Sequence, residues 1–470
     1  MSNQNNTGRR RLHFPHTFVL IFLIAALTAI MANIVPAGQY DRVLNEATGR
    51  TVVEPSSFHY VEKIGCSITD FFRAFPQAFQ ESAQIMFFIA FAYFFVRMLL
   101  KNGTFDALVG WSLRKVGHNI RLIIPVCMLL FGLMGSTIGL FEETYGMIPV
   151  FMAIAIAMGF DGVVGSSIVY IAVAIGFAAA TLNPFTVGVA MPIAEVAYPT
   201  SGMGFRILCF AIFMLTGIIY VWRYASRIQA DPTRSVLYGE PNSFDGMVGS
   251  KEELMAKRFN TRQIISCVIF IVTIGVLIWG TMPARGWYID EIATLFLVSG
   301  LVTALVSGFN GNDIAQCFID SFKEMAYGML VVGLSRSVQV IMNNAMITDT
   351  VVHALANGLQ HFTGVLSALG MLFAQNIINF FIPSGSGQAI VTMPILTPLA
   401  DLVGVSRETA VLAFQFGDGF SNIFWPTSVF TMCGIMQVPI NKWYRYVTPL
   451  FLILFAEQIV LIILSCFVYF

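Results

Sequence analysis

Asn379-Phe-Phe-Ile-Pro-Ser-Gly-Ser-Gly-Gln-Ala-Ile390, running on to Pro394, lies deep inside an apolar region of the chain. Pro383, Ser384, Gly385, Ser386 and Gly387 interrupt a helix there, because proline lacks an amide hydrogen and serine and glycine favour turns. At membrane depth an irregular backbone needs protein or a water-lined cavity to satisfy its polar groups. A helix restarting near Gln388 would aim free amide hydrogens and a positive dipole end into that cavity, a setting suited to an anion or polar ligand. The plainer alternative is a tight turn between two ordinary helices.

The stretch has a counterpart upstream. Setting Pro149 against Pro394 aligns Gly146-Met-Ile-Pro149 with Val391-Thr-Met-Pro394, and Gly135-Ser-Thr-Ile-Gly-Leu-Phe-Glu-Glu-Thr-Tyr145 comes just before. A second matched pair follows. Gly176-Phe-Ala-Ala-Ala-Thr-Leu-Asn-Pro-Phe-Thr186 and Gly417-Asp-Gly-Phe-Ser-Asn-Ile-Phe-Trp-Pro-Thr-Ser428 each carry glycine, a polar residue, proline and then a hydroxyl. Proline frees helical carbonyls, and these with Asn183, Thr186, Asn422 and Thr427 suit sodium or a hydrogen-bonding substrate. A proline kink with locally satisfied hydroxyls is the alternative.

Composition sets the class. The chain has 470 residues, 57% hydrophobic and 11% charged, with a mean hydropathy of +0.75. Soluble domains carry about a quarter charged residues, and several runs here reach the roughly 20 apolar residues that cross a bilayer. The expected fold is an all-α polytopic membrane protein. Net charge is zero, which gives no sign of a nucleic-acid partner. The seven cysteines are scattered, without a metal or redox spacing, and the six histidines form no cluster. Arg9-Arg10-Arg11 ahead of the long apolar run 18–34 reads as an uncleaved anchor rather than a signal peptide.

Spans are expected near 17–36, 82–100, 163–198, 205–225, 264–281, 290–307, 320–342, 407–432 and 446–468. Segments 121–158 and 361–400 are expected as re-entrant hairpins, giving about nine transmembrane helices plus two hairpins. Residues 37–75 read as a small outer hairpin. The chain divides into an N-terminal span with a first repeat (1–225), a polar cytoplasmic linker (226–262) and a second repeat (263–470). Within the linker, Lys251–Arg262 is charged enough for a solvated surface helix. Short amphipathic stretches at 104–117 and 347–359 precede the hairpins. A cytoplasmic N-terminus puts most basic residues inside, from Arg9 through Lys251 to Arg445, and few, such as Arg42 and Arg407, outside. The halves then begin on opposite sides. Inverted repeats with broken helices are how alternating-access transporters place substrate near the midplane.

Glu142, Glu143 and Asp418 are acids at membrane depth, where a charge costs about 2.5–3.5 kcal/mol. They suit a coupling cation, a carried proton or a substrate ammonium; an internal ion pair, for instance with Arg336, is the alternative. Arg336 could itself clamp a carboxylate. Glu408 follows Ser406, a candidate helix cap, and reads as structural.

Phe14-Pro-His-Thr17, Val35-Pro-Ala-Gly-Gln-Tyr-Asp-Arg42, Gly139-Leu-Phe-Glu-Glu-Thr144, Asn183-Pro-Phe-Thr186 and Pro383-Ser-Gly-Ser-Gly387 resemble the YfcC family over nearly the whole chain. That family is related to anaerobic four-carbon dicarboxylate carriers and to arginine/ornithine antiporters of the ion transporter superfamily. The resemblance implies a bacterial inner-membrane carrier with two hairpins, two broken helices and an elevator-type movement.

The combined expectation is an ion-coupled secondary transporter or antiporter, without a catalytic or metal site. Ser136, Thr137, Ser384, Ser386 and Gln388 would bind substrate from the hairpin tips, and Asn183, Thr186, Asn422 and Thr427 from the breaks. Glu142 and Glu143 would contribute to substrate binding and, with Asp418, would couple sodium ions or protons. No other cofactor is expected. The local acid excess favours amino acids, basic ones among them; a four-carbon dicarboxylate is the alternative, and a channel is disfavoured by paired dead-end hairpins. Partners are the bilayer and a small solute, and a homodimer is compatible with this reading.

Overall fold

In the computed structural model, the residues described are 17–45, 50–104, 107, 111, 123–137, 139–240, 258–281, 285, 287, 289–362 and 364–469. The first half contains α1 (Thr17–Ile34), α2 (Ile68–Lys101), α3 (Ile123–Thr137), α4 (Ile148–Ala157), α5 (Gly162–Ala178), α6 (Val187–Ile193) and α7 (Met203–Ala230). The second contains α8 (Thr261–Thr281), α9 (Ile289–Ser307), α10 (Gly311–Asn344), α11 (Thr348–Leu359), α12 (Gly364–Phe381) and α13 (Gly385–Val403). It ends with α14 (Arg407–Ser421), α15 (Pro426–Met436) and α16 (Ile440–Val468). The protein is an all-α polytopic membrane protein. Among the described residues α2, α7, α9, α10, α12 and α16 are long and apolar enough to cross a bilayer.

Both expected hairpins are helix–loop–helix units, α3 with α4 and α12 with α13. α12 alone has 18 residues and meets the length and composition of a span. The interrupted spans are broken where their prolines fall: α5 ends before Asn183-Pro184 and α6 starts at Val187, while α14 ends at Ser421 and α15 starts on Pro426. Thus 163–198 and 407–432 are each two shorter helices, the broken helices that were expected. Linker residues 241–257 and most of 104–117 lie outside the described residues, so the expected Lys251–Arg262 surface helix is described only from Arg258, with residues 258–260 non-helical.

α2 and α10 are each 34 residues long, about 50 Å at 1.5 Å per residue, so they outreach a ~30 Å hydrocarbon layer and must tilt or project. They pack along each other, and α9, α1 and α15 pack on the pair. Where α10 meets α15, Gly328 and Gly434 face one another so closely that a Cβ on Gly434 would lie 2.8 Å from the Gly328 Cα.

Two small antiparallel pairs cover one end of the bundle: β1 (Gly38–Gln39) with β4 (His59–Tyr60), and β2 (Arg42–Asn45) with β3 (Arg50–Val53). The expected outer hairpin is therefore shorter than 37–75, because Ser67 and Asp70 form a capping box that starts α2. The strands are pinned to α11. Arg42 reaches both Asp349 oxygens at 3.1 and 2.9 Å, Tyr40 Oη lies 2.8 Å from His353 Nδ1, and Phe58 stacks on the His353 ring at 3.8 Å.

Candidate functional site

The second hairpin turns within three residues. Ser384 caps α13 by accepting the Gly387 amide at 3.3 Å, which leaves the first amides of α13 without helical partners. The first hairpin turns more loosely, through a 3-10 segment at Glu142–Met147. Glu143 accepts the Phe141 amide at 2.9 Å, and the Thr144 hydroxyl donates to the Phe141 carbonyl at 2.7 Å.

Between these tips lies a cavity of about 360 Å³. Glu81 and Gln84 of α2 form one wall, and Ser335, Arg336 and Gln339 of α10 another. The tips contribute Glu142, Glu143 and Tyr145 from one side and Pro383, Ser384, Gly385 and Ser386 from the other. Asn422, Thr427 and Ser428 arrive from the break between α14 and α15. Arg336 pairs with Glu81 at 3.1 Å and with Gln339, so the ion pair suggested with the glutamates of the first tip forms with Glu81 instead. The Thr427 hydroxyl is buried without a partner among the described residues.

Six of the nominated residues thus share one cavity: Glu142, Glu143, Ser384, Ser386, Asn422 and Thr427. The others lie outside its lining. Ser136 and Asn183 staple the first hairpin to the first break. The Ser136 carbonyl accepts the Thr181, Leu182 and Asn183 amides at 2.9–3.1 Å, and Asn183 donates to the Gly135 carbonyl at 3.4 Å. Thr137 bonds back to Leu133 O at 2.6 Å within its own helix. Gln388 is buried between the hairpin arms, donating to Gln375 O at 3.0 Å and accepting from Asn379 at 3.3 Å.

Asp418 and Thr186 both approach Gly385 of the second tip. A Cβ on Gly385 would stand 2.9 Å from Thr186 Cγ2 and 3.2 Å from Asp418 Oδ2. Asp418 is wholly buried; its Oδ1 accepts from Asn379 at 2.9 Å, while Oδ2 and the Thr186 hydroxyl have no partner among the described residues.

Sequence reasoning named Arg336 but missed the rest of the helical wall. Val332, Ser335, Arg336 and Gln339 recur at the spacing of one helix face, and Glu81, Gln84 and Ile85 do so on α2, a signal that was present in the periodicity. Ser406 does cap α14, accepting the Thr409 amide at 3.3 Å, and Glu408 accepts from Ser201 at 2.7 Å.

The family profile described as C4-dicarboxylate anaerobic carrier, DcuC, matches residues 14–467. The chain is 31% identical to YfcC of Escherichia coli K12, covering 97% of this chain and 96% of that protein, which is named provisionally as a basic amino acid antiporter. It is 25% identical to an uncharacterised protein of Haemophilus influenzae, over 94% of this chain and 95% of that one. Among solved structures, MtrF of Neisseria gonorrhoeae, titled as one of a class of antimetabolite efflux pumps, aligns over 97% of this chain and 96% of that one, at 18% identity and a TM-score of 0.44. The YdaH transporter of Alcanivorax borkumensis aligns over 96% and 98%, at 14% identity and a TM-score of 0.41. With nearly its whole length matched, the chain belongs to the DcuC family of C4-dicarboxylate anaerobic carriers and is a multi-pass membrane transporter, not an enzyme.

Proposed function

We propose that the protein is an ion-coupled secondary carrier or antiporter of amino acids, basic ones among them, held between the two hairpin tips. The observation that carries this reading is the charge layout of the cavity. Glu142 and Glu143 stand at the first tip, while Arg336 and the amide end of α13 stand on other walls. A solute bearing both ammonium and carboxylate is complementary to that layout: its ammonium meets the glutamates, and its carboxylate meets the guanidinium or the helix terminus. The provisional naming of the Escherichia coli relative points the same way.

Asp418 is the coupling acid in this mechanism. It is buried beneath Gly385 with one oxygen unpartnered, and the Thr186 hydroxyl near the same glycine is unpartnered too, so a cation or proton held there would steady the tip that closes over the solute. Sodium ions and protons both suit it.

A four-carbon dicarboxylate is the second reading, favoured by Arg336, the α13 terminus and the family's description. Uptake of labelled arginine, ornithine and succinate into proteoliposomes, with and without sodium and proton gradients, separates the two. Arginine or ornithine accumulation lost in Glu142→Gln or Glu143→Gln is expected; accumulation of succinate alone would replace the first reading with the second.

A further inference from the structure

The two longest described helices are built to one plan. α2 and α10 have equal length, and each opens on a capping box, Ser67 with Asp70 and Asn310 with Asp313. Each ends on a right-handed cap whose amide is shared between two carbonyls: Asn102 with Leu100 and Met98, Ala345 with Asn343 and Ile341. Laying Ile68 on Gly311 puts Glu81 at the position of Glu324, and Tyr93 at that of Arg336.

Those four residues are also joined across the helix pair. Near the strand end, Arg336 of α10 bonds Glu81 of α2 at 3.1 Å. At the opposite end, Tyr93 of α2 donates to Glu324 of α10 at 2.5 Å, Arg97 pairs with the other Glu324 oxygen, and Asp320 lies 3.3 Å from Arg97. The start of each helix thus meets the end of the other, so the pair runs antiparallel; the Glu81–Arg336 and Glu324–Tyr93 contacts join matching positions, and Arg97 adds the guanidinium at the second. Glu324 and Arg336 are about 18 Å apart along α10.

Only the strand-end clamp lines the cavity. The other clamp is joined to the cavity lining through α15, however. α15, whose first residues line the cavity, ends at Gln437, which donates to the Glu324 carbonyl at 3.0 Å.

We propose that Tyr93, Arg97 and Glu324 form a second charged wall for the transported solute, the counterpart of Glu81 and Arg336 at the other end of the α2–α10 pair. The inference rests on the transport reading above. A solute with an ammonium and a carboxylate exchanges with the Glu81–Arg336 pair on one side of the membrane and with the Glu324–Arg97 pair on the other. At the first wall the ammonium meets Glu81 together with Glu142 and Glu143, and the carboxylate meets Arg336; at the second the ammonium meets Glu324 and the carboxylate meets Arg97. No net charge is stranded at either wall, because each clamp re-forms when the solute leaves.

Helix glue alone would also produce two ion pairs, and sidedness tells the two apart. In right-side-out and inside-out vesicles, the KM of labelled arginine, ornithine and succinate is measured separately at each face. Glu81→Gln is expected to raise KM about tenfold at one face only, and Glu324→Gln and Tyr93→Phe about tenfold at the other face only. Tyr93→Phe removes a single oxygen and covers the case in which Glu324→Gln fails to fold. A KM unchanged at both faces, or changed equally at both, in Glu324→Gln and Tyr93→Phe would overturn the proposal while leaving the transport reading intact. Absence of uptake of all three solutes by the wild-type protein would instead remove that reading and the inference with it.

Discussion

Asp418 has one oxygen bonded to Asn379 and one bare, and it stands beneath the tip glycine with no ion-pair partner among the described residues. Holding a carboxyl there costs stability at insertion-scale magnitudes of about 2.5–3.5 kcal/mol, and a coupled ion is the compensation we assign to it. Asp418→Asn is therefore expected to cut gradient-driven accumulation about tenfold or more, while solute binding by purified protein stays near the wild-type value. Equal loss of binding would place Asp418 in the solute site instead. A second residue, His353, sits outside the membrane spans between Tyr40, Phe58 and Asn357. Burial holds its imidazole below the ordinary value of 6.5. The folded state thus disfavours the protonated ring, so its contribution is present above 6.5 and fades as pH falls below it. Melting temperature is expected to drop on acidification from about pH 7 to about pH 5.5, and His353→Gln to flatten that slope.

The elements were largely legible. The breaks and the helix caps were announced by proline, by glycine and serine clusters, and by capping residues, all local signals. Which polar residues face the cavity was less so. Ser136 and Asn183 lie in the motifs that flagged the site, yet they are spent joining the first hairpin to the first break. Glu81 escaped notice because it belongs to a long helix and its partner, Arg336, is remote in sequence. Helix contact also explains Gly176: a Cβ there would lie 2.0 Å from the Gly132 carbonyl of α3, and backbone cannot step aside as a side chain would. Gly176→Ala is expected to cost about 1–3 kcal/mol, read as a lowered melting temperature in detergent. A melting temperature equal to wild type would show that α3 can back away.

At the scale of the whole molecule, the similarity of the halves was visible as paired motifs. Its deeper form was not, because the equal lengths and matching caps of α2 and α10 appear only once both helices are seen end to end. Between that pair and α15 lies the Gly328–Gly434 junction, where backbone rests on backbone with only the Val331 side chain close by. Interfaces of small residues let helices approach closely in lipid and leave nothing to unmesh. Such a seam suits sliding of α15 along α10, and one branched side chain there would act as a stop. Gly328→Val should consequently slow the turnover rate several-fold with KM little altered, and a raised KM at unchanged turnover would mean that nothing glides at this seam.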